Sequence, residues 1–317
     1  MKRLLAVAVL LAALLPVPAA AAEATERWLG PRTVDLTWYS PNIGEEVVAR
    51  VLLPRRWTRD AARTWPVVYA YQGGRDDYTS WTRETDLEEL AEPWDVIVVT
   101  PTGGGNGSYT DWWNDGAGGT PRWETFHTEE LPRLMRGYRA GSGRAAVGIS
   151  SGGFGAMSYA ARHPGLFRYA ASFSGPTHPT LGGAPAILLT VNLLGFGPDA
   201  FRVFGLPGRD AANWRAHDPY LQAAALRGTG LYVASGTTGL NGPYTPDGAQ
   251  WRPTQVSEVL IGRMNRAFVE RLDGLGIPVT SHIYGDGWHA WPEWVPELHA
   301  AWPLMMRALS VPRPDSP

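Results

Sequence analysis

Gly148-Ile149-Ser150-Ser151-Gly152-Gly153 is the stretch on which the reading of this chain turns. It fits G-x-S-x-G, with Ser150 in the nucleophile register and Ser151 one place off it. A short apolar run, Arg144-Ala-Ala-Val-Gly148, comes before it. A helix rich in small residues, Gly153 to Arg162, comes after it and stops at Pro164. Strand, sharp turn and helix make an elbow that aims a serine Oγ outward from a strained backbone. Bulky side chains at Gly148 and Gly152 would collide with such a turn. The helix that follows adds a dipole favourable to negative charge at its N-terminus. The competing reading is a glycine-rich loop that happens to hold two serines; the flanking strand and helix argue against it.

Working outward, short β-branched runs bounded by Gly or Pro predict strands at Val47–Leu53, Pro66–Tyr71, Trp94–Thr100, Arg144–Gly148, Tyr169–Phe173, Gly230–Ala234 and Pro278–Tyr284. Helical stretches are expected at Glu84–Ala91, Thr125–Tyr138, Gly153–Arg162 and Val256–Leu275. Strands alternating with helices imply an α/β fold, a mostly parallel central sheet with helices on both faces. The segment 180–224, rich in Gly and Pro, reads as irregular, either a cap over the ligand end of the sheet or a surface excursion.

A serine hydroxyl needs a base. Of the histidines after Ser150, His163 stands at a helix end, His282 within a strand and His299 in the final helix. His289 lies in Gly285-Asp-Gly-Trp-His-Ala-Trp291, a loop just after the last strand, where a base can reach the elbow. Position allows Asp247, Glu258 or Asp286 as the acid that orients it. Asp286 is close enough to serve its own turn. Asp247 sits in a Pro-Asp-Gly turn, and Glu258 opens the long helix; spacing alone does not separate these two. Tyr71-Gln72-Gly73-Gly74-Arg75 follows an early strand, so the Gly74 N–H is a candidate second oxyanion donor beside that of Ser151. A plain Gly-Gly turn explains the same residues equally well.

Of the 317 residues, 44% are hydrophobic, enough for a sizeable core; the formal net charge is -2 and no basic stripe suggests a nucleic-acid partner. Lys2 and Arg3, the apolar run Leu4–Leu15 and the small residues Ala19–Ala22 predict a cleaved leader over 1–22. No later segment reads as an integral membrane span. Residues 23–317 are then expected to form one catalytic domain, exported or held in the cell envelope, with a frayed tail at Pro312–Pro317. The chain has no cysteine, which excludes disulfides, a lipid-modified cysteine and a thiolate metal site. No metal or cofactor is expected, and the oligomeric state is open.

Further segments carry a resemblance. Asp76-Asp77-Tyr78 with Trp81, Tyr109-Thr-Asp-Trp112, Trp123-Glu-Thr-Phe126, Glu130-Leu-Pro132, Ala146-Val-Gly-Ile-Ser150, Tyr169-Ala-Ala-Ser-Phe-Ser-Gly175 and His289-Ala-Trp291 together make the chain resemble the antigen 85 mycolyltransferases and the wider esterase family around them, from about Val34 to Leu309. The resemblance implies an α/β-hydrolase fold, Ser150 as nucleophile, His289 as base and Glu258 as acid, with Asn265 seven residues on. It implies the N–H groups of Gly74 and Ser151 as the oxyanion hole, and Arg75 and Trp291 at a sugar site. The sequence departs from the family where Gln72 replaces a sugar-binding aspartate and Met264 a serine, and where the loop from Asp111 to Trp123 lacks a cysteine pair. The expected activity is that of a serine esterase or acyltransferase, moving an acyl group from an ester to a sugar, glycolipid or alcohol acceptor, or to water. Competing expectations are a carboxylesterase that only hydrolyses, and a non-catalytic binder of the envelope or matrix. Trp81, Trp112, Trp113, Trp288 and Trp291 would suit sugar stacking or an acyl groove, or plain core packing.

Overall fold

The computed structural model describes residues 24–105 and 108–312. The expected leader and the tail beyond 312 lie outside the described residues. Among the described residues nine strands pair into one sheet: β1 (Thr25–Trp28), β2 (Thr33–Ser40), β3 (Glu45–Leu52), β4 (Trp65–Tyr71), β5 (Ile97–Pro101), β6 (Ala140–Ile149), β7 (Tyr169–Phe173), β8 (Gly230–Ser235) and β9 (Thr280–Ile283). Their order is β1-β2-β3-β5-β4-β6-β7-β8-β9. Pairing is antiparallel from β1 to β5 and parallel from β5 through β4 to β9.

The parallel strands are apolar on both faces. In β4, Val67, Tyr69 and Tyr71 enter one core cluster, while Val68 and Ala70 enter the other. The first cluster is closed by Phe154 and Met157 of α5 (Ser151–Arg162) and Phe268 and Leu272 of α9 (Ser257–Gly274). The second is closed by Trp81 of α1 (Ser80–Glu84), Leu87 of α2 (Leu87–Ala91) and Leu298, Trp302 and Met305 of α10 (Trp291–Ala308). A sheet buried on both faces reads as continuous apolar runs, which is why its strands are visible in the sequence.

Every expected strand is present with its ends moved by a few residues. β1 and β2 were not expected, although Val34, Leu36 and Trp38 alternate along β2 and are buried. The expected helix Glu84–Ala91 splits into α1 and α2. Thr85 is extended, and its hydroxyl donates to the Trp81 carbonyl and accepts from the Leu87 N–H, displacing the helical bonds there. Between Trp123 and Tyr138, α3 (Trp123–Thr125) and α4 (Leu131–Met135) are joined and followed by tighter and wider helical turns. The segment 180–224 is helical rather than irregular. It holds α6 (Ala184–Phe196), α7 (Ala200–Phe204) and α8 (Ala211–Ala216), with Gly183, Gly197 and Gly205 at the helix ends, all at positive φ. Its glycines and prolines punctuate helices.

One buried histidine sets a pH limit on this core. His127 is fully buried against Tyr109, Trp123 and Phe126. Its Nε2 is 2.9 Å from the Thr102 carbonyl, which can only accept, so Nε2 carries the proton; the Tyr159 hydroxyl donates to Nδ1 at 3.1 Å. Burial drives its pKa from 6.5 down to about 4. Below pH 6.5 the unfolded chain takes up a proton that the folded chain refuses. Stability from this group is therefore complete above 6.5 and is lost as pH falls towards 4, by about 3 kcal/mol. Chemical unfolding across pH 7 to 4 should show this slope, and His127→Gln should flatten it while lowering stability at pH 7. An unchanged slope in the variant would assign it to another group.

Candidate active site

Parallel strands deliver their following loops to one edge of the sheet, and the expected site residues lie there. β6 ends at Ile149 and α5 begins at Ser151, leaving Ser150 on the elbow with φ 51 and ψ -125. Such a backbone is costly for a non-glycine residue and persists only where its surroundings impose it. They do so through two glycines. A Cβ on Gly148 would stand 2.1 Å from the Gly152 carbonyl oxygen, and one on Gly152 would stand 2.4 Å from the carbonyl oxygens of Tyr71 and Gln72. The end of β4 thus rests on the elbow itself, and a Cβ on Gly73 would lie 3.5 Å from the Ser150 Cβ.

His289 lies in the loop after β9. Its Nε2 is 2.9 Å from Ser150 Oγ, and its Nδ1 is 2.7 Å from Glu258 Oε1. A carboxylate only accepts, so Nδ1–H donates to Glu258 and Nε2 is left to accept the Ser150 proton. Glu258 is fully buried in the first turn of α9, and its Oε2 has no hydrogen-bond partner among the described residues. Asp247 is exposed in its turn. Asp286 accepts from the Thr238 hydroxyl at 2.8 Å. Of the three candidate acids, the structure brings only Glu258 to His289.

Sequence reasoning missed the groups that hold the histidine loop. Gln255, buried in the turn before α9, accepts the His289 N–H through its Oε1 at 2.7 Å. Trp294 of α10 packs edge-on to the imidazole with centroids 5.0 Å apart, and its own Nε1–H donates to Ser174 Oγ at 3.0 Å. Glu293 is buried under the same loop and takes the Trp288 N–H and the Thr245 hydroxyl; burial, with Glu258 and Glu297 nearby, pushes its carboxyl up towards the neutral form. Gln255 precedes Glu258 by three residues, and that proximity is the signal that could have found it.

The remaining candidates fall as follows. Gly74 and Arg75 are exposed next to Gly73, and Arg75 has φ 61. Gln72 is buried, and its Nε2–H donates to the carbonyls of Asp76 and Gly104 while its Oε1 has no partner among the described residues. Met264 is fully buried on α9. Trp291 is half-buried against Trp81 and Trp294. Trp81, Trp112 and Trp288 are buried, as core packing requires. A cavity of about 740 Å³ opens at the other pole, where β7, β8 and β9 begin, and holds none of these groups. The contact of Ser150, His289 and Glu258 places the candidate site at the elbow and not in that cavity.

Comparison with known proteins gives the family and the fold. The Esterase family model matches residues 40–305. The chain is 34% identical over 256 residues to the diacylglycerol acyltransferase/mycolyltransferase Ag85B of Mycobacterium intracellulare, covering 77% of this chain and 76% of that protein. It is 34% identical over 258 residues to an esterase of Mycobacterium tuberculosis, covering 77% of this chain and 54% of that protein. Among solved structures, MPT51 of Mycobacterium tuberculosis superposes with a TM-score of 0.68 at 26% identity, covering 92% of this chain and all of that one. An S-formylglutathione hydrolase from Agrobacterium tumefaciens shares the α/β-hydrolase fold at 19% identity, with a TM-score of 0.65, covering 90% of this chain and 98% of that one.

Removing the acid separates its role from that of the nearby aspartates. Glu258→Gln should lower kcat for p-nitrophenyl acetate on the order of 10³- to 10⁴-fold. Asp247→Asn, at an exposed turn position, should leave kcat within about twofold. The reverse pattern would move the acid to Asp247.

Proposed function

The chain belongs to the Esterase family, and on that premise we propose that it is a secreted serine acyltransferase or carboxylic ester hydrolase, with residues 23–317 forming one catalytic domain behind a leader at 1–22. At the coarser level it is an enzyme of the esterase and acyltransferase class acting on esters. The observation that carries the finer reading is the continuous contact from Ser150 Oγ through His289 to a fully buried Glu258.

The chemistry follows from that contact. Ser150 Oγ attacks the ester carbonyl carbon while His289 Nε2 takes its proton. Negative charge moves to the carbonyl oxygen, where the backbone N–H groups of Gly74 and Ser151 receive it, aided by the N-terminus of α5. Glu258 stabilises the imidazolium that has formed. The tetrahedral intermediate collapses, the alcohol departs with the proton from His289, and the acyl group stays on Ser150. A second hydroxyl, from an acceptor or from water, then repeats the steps in reverse. Arg75, Trp291 and Gln72, whose Oε1 has no partner among the described residues, are the groups we assign to the acceptor. No step requires a metal or cofactor.

Hydrolysis without transfer is the second reading. It is favoured by Gln72, whose amide nitrogen is spent on two carbonyls, and by the apolar Met264 in place of a serine. A site that cannot fix an acceptor hydroxyl passes its acyl group to water.

Both readings are separated by one assay: a p-nitrophenyl ester series from acetyl to long acyl, with and without glucose, trehalose and glycerol, using wild type and Ser150→Ala. The transferase reading expects acylated acceptor from wild type only. Free acid with every acceptor would make the protein a carboxylesterase. Equal inertness of wild type and variant would remove the enzymatic reading.

A further inference from the structure

Large apolar side chains on the outside of this protein are concentrated at one pole. Among the described residues thirteen are exposed, and nine of them lie in two excursions, 180–206 and 236–256. The first leaves the end of β7 and the second the end of β8. In the sheet order these two strands lie between β6, which carries Ser150, and β9, which leads to His289. The first excursion rests on the nucleophile's own helix, since Phe204 packs on Phe154 with centroids 6.1 Å apart. The second rests on the histidine loop: a Cβ on Gly242 would stand 2.5 Å from the Asp286 carbonyl oxygen, and Thr245 bonds Glu293. The apolar surface is therefore built onto both halves of the site.

Resting on the esterase reading above, we infer that this crown of apolar side chains docks the enzyme on a lipid surface, with the mouth of the Ser150 site turned towards it. The composition of the first excursion favours that occupant. No Asp, Glu, Lys or Arg occurs from Tyr169 to Pro198, and between Ala184 and Phe196 only Thr190 and Asn192 are polar. Ala184–Phe204 is apolar enough to enter a bilayer, yet only 11% of it is buried. It cannot cross one as it stands. The turn at Gly197–Asp199 breaks it, and the 13 residues of α6 span only about 20 Å against a hydrocarbon core of about 30 Å. A helix of that kind lies in the interface. Its inward side is already used, as Phe196 packs on Trp112. Leu194, 72% exposed, points away from the protein, as do Ile187 and Phe201; across the mouth Leu240, 57% exposed, and Trp251 do the same.

A second protein seated on both patches is the competing occupant. Protein interfaces of ordinary size carry about one hydrogen bond per 100–200 Å², and α6 has almost nothing to offer them. Such a partner would also cover the mouth and shut out substrate. A lipid layer that carries acyl esters covers the same ground and delivers the substrate.

The test uses neutral dioleoylphosphatidylcholine vesicles, so that charge plays no part, with wild type and the double variant Leu194→Asp/Leu240→Asp. Both leucines are largely solvent-exposed, so the variant should keep its fold. Vesicle co-sedimentation and turnover of a vesicle-borne long-chain ester should each fall by about tenfold or more in the variant. Soluble p-nitrophenyl acetate turnover and fluorophosphonate labelling of Ser150 should not change. Equal sedimentation of the two proteins overturns the inference. So does a wild type that ignores vesicles but self-associates through the two leucines in analytical ultracentrifugation, which would make the crown a contact between copies. Sedimentation that needs both leucines, with Ser150 left unlabelled, supports the docking surface and overturns the enzymatic reading alone.

Discussion

The backbone of β4 lies against the turn that carries Ser150, and the site is arranged around that contact. Gly152 has room for a hydrogen and nothing larger beneath the carbonyls of Tyr71 and Gln72. The contact forces the elbow into its positive φ. It also sets Gly73 beside Ser150. The elbow serine and the main-chain groups proposed to bind the oxyanion are thereby tied to one close approach of two backbones, with no side chain to move. Rigid main-chain donors are suited to this work because they lose nothing to reorganisation when charge develops.

The imidazole is held differently. His289 sits in a loop fixed by side chains: Gln255 on its N–H, Glu258 on its Nδ1, and the ring of Trp294 against its face. Each comes from α10 or from the entry to α9, so the imidazole depends on how two helices pack on opposite faces of the sheet. Burial of Glu293 under the same loop, with Glu258 and Glu297 nearby, raises its pKa above the usual carboxylate value. The Ser150 half of the site is set by the backbone and the His289 half by packing, which means substitutions in the two halves should do different kinds of damage.

How much of this was legible beforehand follows from that division. The elbow could be read because its constraint is local: Gly148, Ser150 and Gly152 lie within five residues, and the buried parallel strands show as apolar runs. His289 could be found because it follows the last strand. Glu258 and Asp247 could not be told apart from spacing, since both follow β8 and only the packing of α9 buries one and leaves the other in solvent. β2 was overlooked although its alternation was present. The segment 180–224 misled because glycines and prolines that end helices look like those that fill loops. Several signature residues proved to be brackets for the scaffold. Glu130 takes the Trp38 indole and the Ser40 hydroxyl, and Tyr109 donates to the Gln72 carbonyl, so those segments speak of architecture and leave the acceptor unspecified.

β9 is the outermost strand at its end of the sheet, four residues long and largely exposed, paired on one side only to β8. It is also the strand from which His289 hangs. Local opening of a protein begins where few contacts must break, and a short outer strand is such a place. The site can therefore lose His289 by the fraying of one edge while the core behind Ser150 stays folded. Heat would then silence the protein in two stages, first a reversible uncoupling of imidazole from serine and only later the collapse of the sheet. The amide protons of His282 and Tyr284, which face β8, would time the first stage by their rate of exchange with solvent. Catalytic lifetime in this fold is governed by its margin and bulk stability by its centre.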